Sequence, residues 1–336
     1  MVEATFPAAE TNMSRDMMRA AVLAAPRTFE ITDVVRPEPG PRQVCVRLEG
    51  CGVCASNLSP WEGAPWFSYP MDAGAPGHEA WGRVYSSGSA VTRFRRGARV
   101  GVLSQHAFAE FDLVDENLVV ELPESLQSKP FPAEPLGCGV NVFRRANISR
   151  RTTVAIVGIG FLGTIVLRLA VLAGAQVIAI ARRPESLELA KQYGAHGCTL
   201  MSDHWEIIER VKLLTSGRFC DVVVEATGQQ WPLDISAEIT AERGRLVVAG
   251  YHQGGPRQVN MQLWNWRGLD VINAHERDPE VYLQGMQSAV KLVASGDLNP
   301  EPLYTHCYSL EQIGDAFATA ASRPDGFMKA LLMYQS

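Results

Sequence analysis

The sequence predicts an α/β chain in two parts, a strand-rich, barrel-like β-domain followed by a doubly wound parallel sheet covered by helices. Three observations carry this reading. From Met18 to about residue 125, short segments of alternating polarity are broken repeatedly by Pro and Gly, the texture of a small β-domain. After about residue 150 the pattern becomes apolar strand, helix, apolar strand, helix, as in a parallel sheet buried on both faces. Between the first of those strands and its helix stands Gly158-Ile-Gly-Phe-Leu-Gly163.

Taken in order, regular structure is expected to begin at Met18, with short strands at Arg19–Leu23 and Phe29–Val34 separated by a turn at Pro26,. Gln43–Leu48 alternates as a half-buried strand does, and the glycines at 50 and 52 are read as its end,. Gly82–Tyr85, Ala98–Leu103 and Phe108–Phe111 are further short strands. Thr153–Val157 is an uninterrupted apolar strand, followed by a helical run, the strand Gln176–Ile180 and a polar helix over Pro184–Tyr193,. Asp221–Glu225 and Arg245–Ala249 continue the series. From Val281 on, amphipathic helices lead to a closing strand at Lys329–Met333, expected to return to the first domain. The boundaries read as a loose tail over 1–17, a β-rich domain over 18–145, a dinucleotide-type domain over 146–285 and the return over 286–336.

Composition narrows the function. At 336 residues the length suits two domains, and 46% hydrophobic with 20% charged residues is ordinary for a globular chain,. A net charge of −5 with no block of Lys or Arg leaves no electrostatic footprint for nucleic acid or anionic lipid,. The longest uncharged stretch, Thr152 to Leu167, is shorter than the ~20 apolar residues of a membrane span,. The start of the chain has no apolar run of the signal-peptide kind,. Seven cysteines without disulfide-framework spacing suit a reducing cytoplasm, where thiols stay free or bind metal,.

The glycine run has the context that gives such a motif weight. Gly158 permits the tight turn, Gly160 lets backbone approach a pyrophosphate, and Gly163 allows close helix-to-strand packing. Phe161 and Leu162 open the helix whose N–H groups face the phosphates,. At the end of the next strand, where a carboxylate would hold the ribose hydroxyls of NAD, stand Ala181, Arg182 and Arg183. Two guanidinium groups there suit an adenosine 2′-phosphate, which favours NADP over NAD.

The β-rich part carries Cys51 and Cys54 in a C-x-x-C, then Gly77-His-Glu79, then Glu134-Pro-Leu-Gly-Cys138. No second C-x-x-C completes a four-cysteine site, and no thioredoxin-like βαβ unit surrounds this one. Soft and borderline donors of this kind suit a catalytic zinc, which takes three protein ligands and keeps one position open. Taken together with the glycine fingerprint, these motifs resemble, in order and spacing, the zinc-dependent medium-chain dehydrogenases/reductases of the alcohol and sorbitol dehydrogenase type. Glu225-Ala-Thr-Gly228, Val248-Ala-Gly250 and Leu303–His306 match later landmarks, so the likeness runs from Met18 to the C-terminus.

The resemblance implies a GroES-like catalytic domain joined to a Rossmann domain, one zinc per chain, and hydride transfer between a secondary alcohol or polyol, or the matching ketone, and a nicotinamide. It implies Cys54 and His78 as zinc ligands, with Cys138 as the third and Glu134 as its alternate or exchangeable partner. Glu79 corresponds to a neighbouring carboxylate able to approach the metal, and Ser56 to the hydroxyl that receives the substrate proton. Gly250, Tyr251 and His275 lie where relatives bring loops to the nicotinamide, and Lys329 where relatives place a cation near the pyrophosphate. Trp61, Trp66, Phe67 and Tyr69 are candidates for the pocket wall or the core. The chain departs from the family at Asn57, where an Asp usually orients the zinc-bound imidazole, at Ser59, which replaces a relay histidine, and in lacking a second-zinc lobe. A homodimer or homotetramer is implied. The competing readings are a zinc-free NADPH-dependent quinone-type reductase of the same fold and a non-catalytic dinucleotide-binding protein.

Overall fold

In a computed structural model, residues 17–334 are described, and the first strands pair as a hairpin: β1 (Met17–Ala25) against β2 (Thr28–Val35). The tail expected over 1–17 lies outside the described residues except at Met17, which already pairs with Val35. Next come β3 (Gln43–Val53), α1 (Leu58–Glu62), β4 (Glu79–Ser87), β5 (Arg99–Leu103), β6 (Phe111–Asp115) and β7 (Val119–Glu121). The helix α2 (Ala133–Ala146) leads into the second domain.

That domain alternates β8 (Thr153–Val157), α3 (Phe161–Leu172), β9 (Gln176–Ala181), α4 (Pro184–Gln192), β10 (Gly197–Leu200), α5 (His204–Leu214), β11 (Cys220–Glu225), α6 (Gln230–Glu238), β12 (Thr240–Val248), α7 (Met261–Arg267) and β13 (Asp270–Asn273). Its strands form a parallel sheet in the order β10-β9-β8-β11-β12-β13. Side chains alternate between two cores, as a strand buried on both faces requires. Val154 and Ile156 enter one with Val222 and Val224, while Ala155 and Val157 enter the other with Val223. The order reverses between β8 and β11, and such a switch point opens a crevice at the carboxyl ends of the strands.

The chain then runs through α8 (Pro279–Ala294), β14 (Tyr304–Tyr308), α9 (Ile313–Ser322) and β15 (Lys329–Met333). The last strand pairs with β3 inside the first-domain sheet, whose order is β14-β15-β3-β4-β5-β7 with β6 also on β3. The return is therefore a matter of backbone hydrogen bonds, not of docking.

Two local readings are corrected. The glycines at 50 and 52 do not end β3, which continues to Val53. They are there because the neighbouring strand lays large side chains across them: a Cβ at Gly50 would lie 2.4 Å from Trp81 Cζ2, and one at Gly52 would lie 1.9 Å from Glu79 Oε2. Phe108–Phe111 is not a strand of its own. Phe108 is buried against Phe29 and Phe317, Ala109 makes only an isolated bridge to Ala20, and regular pairing begins at Phe111.

Candidate functional site

A cleft of about 1180 Å³ opens between the two sheets and is walled by residues of both. Strand register builds its catalytic end. Gly52 pairs with Glu79 across β3 and β4, and Val53 pairs with Ala330 across β3 and β15. Cys54, His78 and Lys329 therefore emerge together at one end of the sheet. Ligand atoms of Cys54, His78 and Glu79 all lie within 4.8 Å of one another, a cluster able to hold a metal ion.

The imidazole is oriented without a carboxylate. His78 Nδ1 donates to the Pro76 carbonyl at 3.0 Å, which leaves the Nε2 lone pair free,. Asn57 Nδ2 donates to the same carbonyl at 2.8 Å, and Asn57 Oδ1 accepts from the Cys54 amide at 3.2 Å. A backbone oxygen thus does the work expected of the absent Asp, as metal-site imidazoles commonly allow. Burial opposes a proton on His78, yet Cys54, Glu134 and Glu79 overcome it and lift its pKa to about 10. The cluster draws positive charge, and its thiol, imidazole and carboxylate match the donors zinc takes.

Glu79, Cys138 and Glu134 all stand close to Cys54 and His78 as donors for a third position. Glu79 adjoins His78 in the chain, whereas Cys138 sits on α2 and donates its S–H to Glu134 Oε1 at 3.1 Å, one helical turn away. Burial and then Glu134 push the Cys138 thiol well up, so it stays protonated beside that carboxylate. Glu134 and Cys138 border the cluster and line the cleft with Tyr282 of α8. Lys329, only 5% exposed, donates to Glu79 Oε1 at 2.5 Å, lies over the Phe161 ring at the start of α3 and lines the cleft.

At the other end, the glycine turn separates into three roles. A Cβ on Gly158 (φ 101°) would meet Thr227 Cγ2 at 2.5 Å, and one on Gly163 would meet the Gly158 carbonyl oxygen at 2.0 Å. Both glycines are demanded by the protein itself. A Cβ on Gly160 would meet nothing within 4 Å. Gly160 caps α3 and lines the cleft with Phe161 and Leu162, so its bareness serves only what enters from outside. Arg183 also lines the cleft, while Arg182 is exposed.

A polar network beneath this end was not foreseen. Glu225, fully buried at the end of β11, accepts from Thr227 N at 2.7 Å and Gly228 N at 2.9 Å, and from the Thr227 hydroxyl. Arg257 Nε donates to His252 Nδ1 at 3.0 Å, so the ring proton sits on Nε2 and is donated to Glu225 Oε2 at 3.0 Å. This network holds the turn carrying Gly250 and Tyr251, and Tyr251 stacks on His275 with ring centroids 5.6 Å apart. Of the four loop aromatics, only Trp66 (62% exposed) faces the cleft. Trp61 is buried against Phe317, and the Tyr69 hydroxyl bonds the Pro60 carbonyl.

A β-rich domain with a thiol–imidazole–carboxylate cluster, facing a parallel sheet with a glycine cradle across one cleft, defines a metal-dependent nucleotide oxidoreductase. Comparison with known proteins agrees. Residues 40–124 match the alcohol dehydrogenase GroES-like domain and residues 162–291 the zinc-binding dehydrogenase domain, together well over half of the chain. The sorbitol dehydrogenase of Gallus gallus is 27% identical over 84% of this chain and 87% of its own length. A quinone oxidoreductase of Pseudomonas aeruginosa is 28% identical, covering 84% and 89%. A zinc-binding dehydrogenase of Sinorhizobium meliloti, solved bound to NADP, superposes with a TM-score of 0.82 at 26% identity, covering 95% and 99%. The chain belongs to the zinc-type medium-chain dehydrogenase/reductase family.

Proposed function

We propose that this chain is a zinc- and NADP-dependent dehydrogenase of secondary alcohols of the polyol kind, working in either direction. One observation carries the proposal: the Cys54–His78–Glu79 donors and the Gly160 cradle open into the same cleft. Bound at these donors, zinc supplies a Lewis acid, and a nicotinamide reaching over from the cradle supplies the hydride acceptor. The chain's own part is to hold both partners in contact and to move the proton. Ser56, half-buried on the cleft wall, takes the hydroxyl proton toward solvent. Lys329 balances the charge of Glu79, and Glu134 and Tyr282 present polar groups to further substrate hydroxyls.

The arginines after β9 support NADP, in keeping with the cofactor bound to the Sinorhizobium meliloti relative,. A polyol is supported by the sorbitol dehydrogenase likeness and by Glu134 beside the donors. We further place the protein in the cytoplasm, on its free cysteines, as a homodimer joined through the nucleotide domain. There β13 leaves an open sheet edge next to Trp266, which is 85% exposed,. Among the described residues no helix is long and apolar enough to cross a membrane.

The test is turnover of a polyol and ketose panel with NADP and NAD, before and after chelation. Metal-dependent polyol oxidation is expected. Quinone reduction by NADPH that survives chelation would instead select the zinc-free reading, and NADPH binding without turnover the non-catalytic one.

A further inference from the structure

We propose that Arg323, from the wall opposite the nucleotide domain, is the third cation of the adenosine 2′-phosphate site, so that this phosphate is gripped from both sides of the cleft. The inference rests on the NADP reading above and extends it to a residue outside the nucleotide fold.

Arg323 ends α9 in the left-handed region (φ 48°), its amide donating to Thr319 O at 2.9 Å. A non-glycine residue in this conformation is uncommon, which invites a search for what the side chain does. It lines the cleft together with Arg183. The two walls touch at this point, because Met328 Sδ lies 3.8 Å from Arg183 Nη2.

Arg183 keeps an unsatisfied buried donor, while Arg323 is open to solvent. Arg183 Nη1 is buried with no hydrogen-bond partner, and Arg183 Nε is 3.7 Å from Glu185 Oε1, beyond hydrogen-bond distance,. Among the described residues the Arg323 side chain has no hydrogen bond and no ion pair. Although the side chain is exposed, its charge is disfavoured by desolvation against the cleft wall and then by Arg183 and Arg182, with a smaller opposing pull from Cys54. The exposed Asp325, two residues on, forms no ion pair with it.

Guanidinium groups that repel one another around an orphaned, buried N–H are poised for an anion with several acceptor oxygens, and a phosphate monoester matches their planar forks. Arg182 and Arg183 directly follow β9, the position at which a 2′-phosphate is accommodated, so that phosphate is the anion assigned here and not the pyrophosphate over Gly160,.

The test is direct titration of NADPH and NADH, by fluorescence, into the wild type, Arg323→Asn and Arg323→Lys, with melting curves alongside. Asn tolerates the left-handed backbone, so the fold is retained. Arg323→Asn is expected to raise Kd for NADPH about ten- to hundredfold, the size of one charge-assisted hydrogen bond. Kd for NADH should stay within about twofold, and Lys should recover part of the loss. Equal weakening of both nucleotides would move Arg323 to the pyrophosphate and overturn the assignment, as would an unchanged NADPH affinity. Failure of the underlying NADP reading looks different: the wild type itself would then prefer NADH or bind neither.

Discussion

Substituting Gly160 with Ala separates what the fold needs from what a ligand needs. At φ −97° the backbone accepts a side chain, and the added methyl meets no atom within 4 Å. In the nucleotide-free protein the change should be neutral, or stabilising by about 0.4–1 kcal/mol through the unfolded chain. With a dinucleotide present, that methyl stands where the phosphate must approach the α3 amides. Losing one hydrogen bond to a charged group costs roughly 1.5–3 kcal/mol, about ten- to hundredfold in Kd. Gly163→Ala should fail in the opposite way. Its methyl would sit 2.0 Å from the Gly158 carbonyl oxygen, forcing the β8–α3 turn apart at a cost of about 1–3 kcal/mol before any ligand arrives,. Thermal melts of both variants without nucleotide, followed by NADPH titration, separate the two effects. Wild-type NADPH affinity in Gly160→Ala, or a melting point as depressed as that of Gly163→Ala, would refute the reasoning.

Gly52→Ala places a methyl 1.9 Å from Glu79 Oε2 and should drive apart the buried Glu79–Lys329 pair. A loss of about 3–5 kcal/mol is expected, together with weaker zinc retention measured by elemental analysis; a protein as stable as wild type would count against that packing. Glu225→Gln puts an amide N–H₂ against His252 Nε2 while Arg257 still donates to Nδ1, so one ring proton can no longer serve both sides. A loss of about 1–3 kcal/mol in urea unfolding is expected, and none at all would show that the network reorganises freely. The Asp112 carboxyl is raised above its ordinary value by burial, partly offset by the Ser104 hydroxyl. A raised carboxyl destabilises the fold at neutral pH, and the penalty fades as pH falls through the folded pKa toward the unfolded one. Asp112→Asn should therefore be more stable than wild type near pH 7 and lose that advantage on acidification; an equal difference at both pH values would sink the assignment.

What the sequence could tell was local. The apolar runs of β8, β11 and β15 and the fingerprint turn are each written in a few consecutive residues, so periodicity and spacing expose them, whereas Cys54 and His78 stand out through the family resemblance of the motifs around them. What it concealed depends on contacts between distant segments. Gly50 and Gly52 look like strand breakers until Trp81 and Glu79 are seen lying across them. The helix α2 went unread because it holds Pro135, Gly137 and Gly139. The proline falls in the first turn, where it is tolerated, and the glycines admit Met286 and Ile165 at close range,. That Glu79 reaches the Cys54–His78 cluster likewise needed the strand register, which pairs Gly52 with Glu79. The Pro76 carbonyl that replaces the missing Asp leaves no trace in residue types, because any residue supplies a carbonyl.

The charges of the cleft bear on which way round the proposed dinucleotide would enter. Thiols and carboxylates gather around His78, and Gly160, the start of α3 and the guanidinium groups of Arg183 and Arg323 line the same cleft. A dinucleotide carries its negative charge on the pyrophosphate and, in NADP, on the adenosine, whereas the nicotinamide end carries none in its reduced form. Entering with the phosphates toward His78 would set them against the carboxylates of Glu79 and Glu134, and like charges in a partly desolvated cleft repel strongly,. The reverse entry would bring the phosphates to the α3 amides and the arginines and the ring toward the donor cluster,. On the NADP reading proposed above, charge placement on elements drawn from both domains would favour one orientation before any contact specific to the reacting ring is made.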